Sequence, residues 1–240
     1  MNKIIFNILR LINEDKYIEA NKLIEEILKN NNSDKEFDEN DLQYFASCLL
    51  ACRRFDLAVL FFAKANNFSS AAFVEIIRGN LKEAQQLLHK KDESSVNSWC
   101  KFLIEVFNKS LLVRSPSFFQ IRNFLETTIY YLLLAKNTSF INLLLKKLTK
   151  LLETNPDAEK YIAYAYHHFG DEDEAIKLLN NSLKRNPYDG EIYFCLAQIY
   201  VQRNLLQDAM AMLENANLFL PEHMPTKILR EKVAKSLGSK

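Results

Sequence analysis

Cys48 and Cys52 stand four residues apart, and on a helix that spacing puts both thiols on one face. Such a pair can offer two ligands to a metal. A zinc site takes four, and no further Cys or His lies near in sequence to complete it. The cysteines Cys48, Cys52, Cys100 and Cys195 form no Cys-x-x-Cys pair and read as buried thiols, each behaving as a small hydrophobe. His167 and His168 are adjacent. Neighbours on a helix point about 100° apart, so the two rings do not converge on one ion. A catalytic role for either needs a partner that the sequence does not show. Four scattered glycines cannot build a phosphate loop, and Gly-x-Ser-x-Gly and His-Glu-x-x-His are absent. The expectation is a non-enzyme with no catalytic residue, no metal site and no cofactor. Trp99 reads as a packing residue of its helix, and Lys146, Lys147 and Lys150 as a solvated helix face.

The elements that would carry these residues are helices. Only 4 Gly and 5 Pro occur in 240 residues, which argues against a turn-rich all-β chain. Lysine and arginine number 31 against 30 aspartates and glutamates, so the whole chain has no electrostatic footprint for nucleic acid. At the N-terminus, Asn7 and Arg10 interrupt the apolar run of residues 1–12, and Glu14, Asp15 and Lys16 follow it. That pattern is an amphipathic helix rather than a signal peptide. The most apolar region, 118–148, carries Arg122, Glu126, Lys136, Lys146 and Lys147, too many charges for a membrane span. A cytoplasmic location is the default expectation.

The C-terminal half repeats itself. Residues 156–189 laid over 190–223 bring Ala163 onto Ala197, Tyr166 onto Tyr200, Ala175 onto Ala209, Leu179 onto Leu213 and Pro187 onto Pro221, each pair 34 residues apart. A fixed period of this size marks stacked repeats. The alanines let two antiparallel helices approach, while Tyr166 and Leu179 fill the space between repeats. Gly170 falls where the first helix must stop. Asp171 and Glu174 form a capping-box pattern for the second helix, and Pro187 ends it.

These residues resemble the tetratricopeptide repeat family over 156–223. Glu159 and Tyr193 occupy the fourth repeat position, where the family pattern has Trp. One period earlier, 122–155 keeps Leu145 and Leu148 but has Ile129 and Ile141 in the small positions, a divergent unit. Towards the N-terminus, 15–28 resembles a second repeat helix with Ala20 in the small position. Ala46 with Ala58, and Ala72 with Ala84, are again twelve apart, as are Ala163 and Ala175. The step from Ala58 to Ala84 is only 26 residues, so an irregular stack is expected there.

The organisation expected is a helix pair in 1–34, short irregular pairs in 39–93, an irregular segment in 94–155, two well-formed repeats in 156–223 and a capping helix in 224–240. Val96–Leu111 reads as one helix, 29–41 as a polar linker, and about 14 helices are expected in all, with no strand. The resemblance implies an all-α right-handed solenoid whose first helices line a concave groove. In the capping helix, Ile228, Leu229 and Val233 are expected to face inward.

On the face implied to be concave, repeat positions five, nine and twelve are Lys160, Tyr164 and His167, then Phe194, Gln198 and Val201, then Ile228, Lys232 and Lys235, with Glu126 and Tyr130 from the divergent unit. Aromatics flanked by amides and cations suit an extended peptide or a helix. Gln198 and Gln202 are candidates to bond its backbone, and Lys160, Lys232 and Lys235 to favour its acidic groups. Tyr164 and Phe194 could equally pack between repeats. Family members that clamp a C-terminal carboxylate need a set of Lys, Asn and Arg that Tyr164, Gln198 and Ile228 break; only Lys160 fits fully. The resulting expectation is a module binding a protein or peptide partner, with no nucleic acid and no membrane insertion. The alternatives are a structural subunit of a stable assembly, and an RNA-binding helical repeat.

Overall fold

The structure is a computed structural model and describes residues 2–29, 37–88, 94–110, 113–152 and 156–238. Among these residues the regular structure is all helical: fourteen α-helices and one 3₁₀ turn at Pro156–Ala158. No helix among them is long and apolar enough to cross a membrane. The helices are α1 Lys3–Asn13, α2 Tyr17–Lys29, α3 Glu39–Ala51, α4 Phe55–Lys64, α5 Phe68–Arg78, α6 Leu81–Leu87 and α7 Ser95–Phe107. They continue as α8 Phe118–Leu134, α9 Thr138–Lys150, α10 Glu159–Phe169, α11 Glu172–Arg185, α12 Gly190–Gln202, α13 Leu206–Phe219 and α14 Met224–Gly238.

One turn recurs between them. After the helix, one residue takes a left-handed backbone, and the next donates its N–H to a carbonyl five residues back. This is the Schellman closure, which satisfies carbonyls that the helix end leaves open. The left-handed residues are Asp15, Arg53, Asn66, Gly79, Lys109, Lys136, Gly170 and Asn204, with φ between 53° and 92°. The closing bonds include Lys16 N–H to Leu11 O and Arg54 N–H to Leu49 O at 2.8 Å, and Asp171 N–H to Tyr166 O at 3.0 Å.

The chain divides into two compact units: residues 1–116 with 131–144, and residues 117–130 with 145–240. The expected 94–155 segment is therefore not one body. Helix α7 packs on α5 in the first unit, and α8 and α9 are each shared out between the two.

In the first unit, α1 buries Ile5, Ile8 and Leu11, a stripe spaced by three. Ala20, Ala46, Ala58, Ala72 and Ala84 are all fully buried. Phe45 meets Phe61 edge-on at 4.9 Å, and buried Trp99 lies 5.2 Å from Phe102. Helix α7 ends at Phe107 rather than 111, because Lys109 takes the left-handed turn; Leu111 lies outside the described residues. Of the linker expected at 29–41, Lys29 closes α2, 30–36 lie outside the described residues, and 39–41 are helical. The reason is Asp38, whose carboxylate caps α3 by accepting from the Asp41 N–H at 2.7 Å.

In the second unit, Ala163, Ala175, Ala197 and Ala209 are fully buried, as are Leu179 and Leu213. Tyr166 bonds Thr149 through its hydroxyl at 3.2 Å, which ties α10 to the end of α9. Asp171 caps α11 by accepting from the Glu174 N–H at 3.3 Å. Glu174 does not complete the box: its carboxylate turns to Lys177 at 3.0 Å. Helix α11 ends at Arg185, with Asn186 extended before Pro187. At the fourth repeat position, Glu159 pairs with Arg185, and Tyr193 stacks on Phe219 with ring centres 5.7 Å apart. Gly190 opens α12 where a Cβ would come 2.6 Å from Leu220 Cγ, so only glycine fits without a shift. In α14, Leu229 and Val233 pack inward, but Ile228 is 49% exposed. The buried stripe runs through Thr226 and Val233, seven apart, and turns Ile228 outward.

The apolar region 118–148 is mostly core. Ile121, Leu125, Ile129, Leu145 and Leu148 are buried in the second unit and Leu132, Ile141 and Leu144 in the first, while Phe119, Tyr130 and Leu133 are exposed.

Candidate functional site

Three helices of the second unit, α10, α12 and α14, carry the candidate residues. Lys160 lies in the first turn of α10. Its ammonium donates to Asp189 Oδ2 at 2.8 Å and Glu191 Oε2 at 2.6 Å. Burial alone would lower its pKa, but the two carboxylates outweigh that and raise it. Asp189 is also the N-cap of α12, accepting from the Glu191 N–H at 3.1 Å. The lysine thus fastens one repeat to the start of the next. With two carboxylates on one ammonium, and a side chain only 14% exposed, it has no cation to offer a ligand.

One turn further on, Tyr164 is half-buried, its ring edge-on to Tyr161 at 6.1 Å. Its hydroxyl is buried and bonds nothing among the described residues. Burial is the main cause of a strongly raised pKa, helped by Cys195, Asp189 and Glu191. At the next turn the Nδ1 of His167 is likewise buried without a partner. Burial, then the neighbouring His168, lowers the pKa of His167 and favours the neutral ring. His168 points away to Glu126 on α8, Nε2 to Oε1 at 3.1 Å.

On α12, Phe194 meets His223 edge-on at 4.9 Å and packs with Val201 against the cluster of Ala197, Leu213 and Val233. Gln198 is half-buried and Gln202 exposed, and neither side chain bonds another among the described residues. On α14, Lys232 is exposed, and its ammonium has no partner among the described residues.

The structure therefore sorts the expected residues. Tyr164, His167, Gln198 and Gln202 hold uncommitted polar groups on successive first helices. Phe194 and Val201 pack within the last repeat, and Lys160 is an internal tie. Sequence reasoning missed the carboxylates: Asp189 and Glu191 stand about 30 residues from Lys160. The only signal available was the cap pattern at the start of α12.

No group of three or more His, Cys, Asp or Glu side chains able to hold a metal occurs among the described residues. Cys48 and Cys52 are both buried, and burial pushes the Cys48 thiol up to about 12. A thiol held there is a poor nucleophile and a poor ligand at neutral pH.

This is a helical-repeat protein of stacked helix pairs. Residues 166–225 match the family model for the tetratricopeptide repeat. Two solved structures are similar to it. One is YrrB, a TPR protein with an unusual peptide-binding site, at 17% identity, covering 87% of this chain and 97% of that one, with a TM-score of 0.38. The other is the APC/C hetero-tetramer Cut9–Hcn1, at 16% identity, covering 96% of this chain and 42% of that one, with a TM-score of 0.38. Comparison with curated proteins finds no match.

Proposed function

We propose that the chain is a non-enzymatic protein-interaction module, and that its second unit holds an extended partner segment against α10 and α12. The observation that carries this reading is the pair of unbonded amides on α12, Gln198 half-buried and Gln202 exposed, on the first-helix face they share with Tyr164 and His167 of α10. A peptide backbone offers donors and acceptors at regular spacing, and it can satisfy several such groups at once.

The apolar packing of Phe194 and Val201 makes the wall rigid rather than sticky, which reduces the ordering cost of binding. Gln198→Trp, which fills the face without altering charge, is expected to abolish partner capture while the circular dichroism spectrum stays helical. Capture that survives this substitution contradicts the reading.

A further inference from the structure

We propose that the outward face of α8 pairs two copies of this chain, antiparallel about a two-fold axis, in a weak homodimer. The proposal is separate from the groove reading, because it uses no residue of α10 or α12.

The face is a single row: Phe119, Arg122, Asn123, Glu126, Thr127 and Tyr130. Steps of three and four along a helix keep such residues on one side. All six are exposed, Phe119 at 67% and Tyr130 at 46%. Ile121, Leu125, Thr128 and Ile129 between them are buried, so the row points outward. A lone exposed ring on a surface is ordinary. What singles out this row is that it reads nearly alike from either end, about a point between Phe124 and Leu125. Laid antiparallel on its own copy about that point, it sets Phe119 opposite Tyr130 of the second copy, and Asn123 opposite Glu126. Arg122 then stands one position from Glu126 of the second copy. The two-fold axis makes each of these contacts twice.

Charge fixes the direction. Arg122 has no partner among the described residues. Glu126 is 69% exposed and meets His168, which carries charge only when protonated. Antiparallel pairing brings Arg122 and Glu126 of opposite copies together. Parallel pairing sets Arg122 on Arg122 and Glu126 on Glu126, and like charges facing each other reject that arrangement. Both ends of the row touch at once when the helices cross at about 20°. The row is about 16 Å long at 1.5 Å per residue. A face of that length is smaller than a standard interface, so the dimer is weak, with a Kd of about 10–100 μM.

Sedimentation velocity of the full chain from about 1 μM to about 1 mM spans that range. The mean mass is expected to rise with concentration from 28.0 kDa towards twice that value. Arg122→Glu and Glu126→Arg, each alone, set like charges together at both related contacts, and each is expected to weaken the dimer at least about tenfold. The two combined exchange the signs and are expected to restore it. Phe119→Ser is expected to weaken it as well. Every replaced side chain is exposed, and an unchanged far-UV circular dichroism spectrum checks that each variant folds. A chain that stays at 28.0 kDa throughout overturns the proposal. So does a dimer indifferent to Phe119→Ser and to both single charge reversals, because its contact lies elsewhere. A loss in the single variants that the combined variant does not recover overturns the antiparallel pairing.

Discussion

Both units bury alanines at their helix crossings, but the largest fully buried rings, Trp99, Phe45 and Phe61, all belong to the first. Helices α3–α7 are held by the ring contacts of Phe45 with Phe61 and Trp99 with Phe102. In α10–α13 the contacts centre on Ala163, Ala175, Ala197 and Ala209 with leucines between them. The connections differ too. The α4–α5 link in the first unit is the same tight left-handed turn, at Asn66, that joins the two helices of a pair. In the second unit α11 runs 14 residues and leaves through an extended Asn186 before α12 begins. The short link and the ten-residue α4 account for the 26-residue step between Ala58 and Ala84. The small-residue crossing is common to both units, and the shorter period of the first goes with buried rings between its crossings. The uncommitted polar face belongs to the regular unit, where successive first helices present equivalent positions.

The comparison can be broken most forcefully at the ring core. Phe45→Ala is expected to lose about 3–5 kcal/mol of stability, the range for a buried aromatic truncated to alanine, as read by chemical denaturation. A loss near that of a surface substitution would mean the first unit does not depend on its rings. In the second unit the corresponding weak point is closeness rather than bulk. Gly190→Ala is expected to cost about 1–3 kcal/mol, because the added methyl strikes Leu220 and overpacked sites rarely relax for less.

The turns sharpen the comparison in the other direction. Arg53→Gly and Lys136→Gly are each expected to raise stability by up to about 1–2 kcal/mol, and Gly170→Ala to lower it by a similar amount, since a left-handed backbone penalises a Cβ. Thermal melts of the three variants decide it.

The smallest effect is a pH slope. The pKa of His167 lies below its ordinary value of about 6.5 because it is buried. The folded state therefore binds this proton less readily than the unfolded chain does. The stability this ring contributes is complete above about pH 6.5 and is lost as pH falls through the lowered folded value. His167→Phe is expected to flatten the fall in melting temperature between pH 7 and pH 5; an unchanged slope would place the titration elsewhere.

Much of the fold was legible because helix crossings leave a mark in sequence. Every alanine picked out by the twelve- and 34-residue spacings is fully buried. Turn positions were legible only where glycine stood, at Gly79 and Gly170. Asp15, Arg53 and Lys136 adopt the same backbone with side chains that give no such signal. The candidate face was half legible. Helical spacing named Tyr164, Gln198 and Lys160 as its register. It could not show that Asp189 and Glu191 take up the lysine, or that His223 meets Phe194 edge-on, because the period does not fix which side chains meet across a helix start.

The central claim is that a partner lies on the first-helix face of the second unit. A photo-crosslinking residue placed at Gln202, exposed on α12, and separately at Leu218, 68% exposed on the second helix α13, tests it directly in native lysate. The account predicts one specific crosslinked partner from position 202 and none from position 218. The same partner captured from 218 and absent from 202 would contradict it.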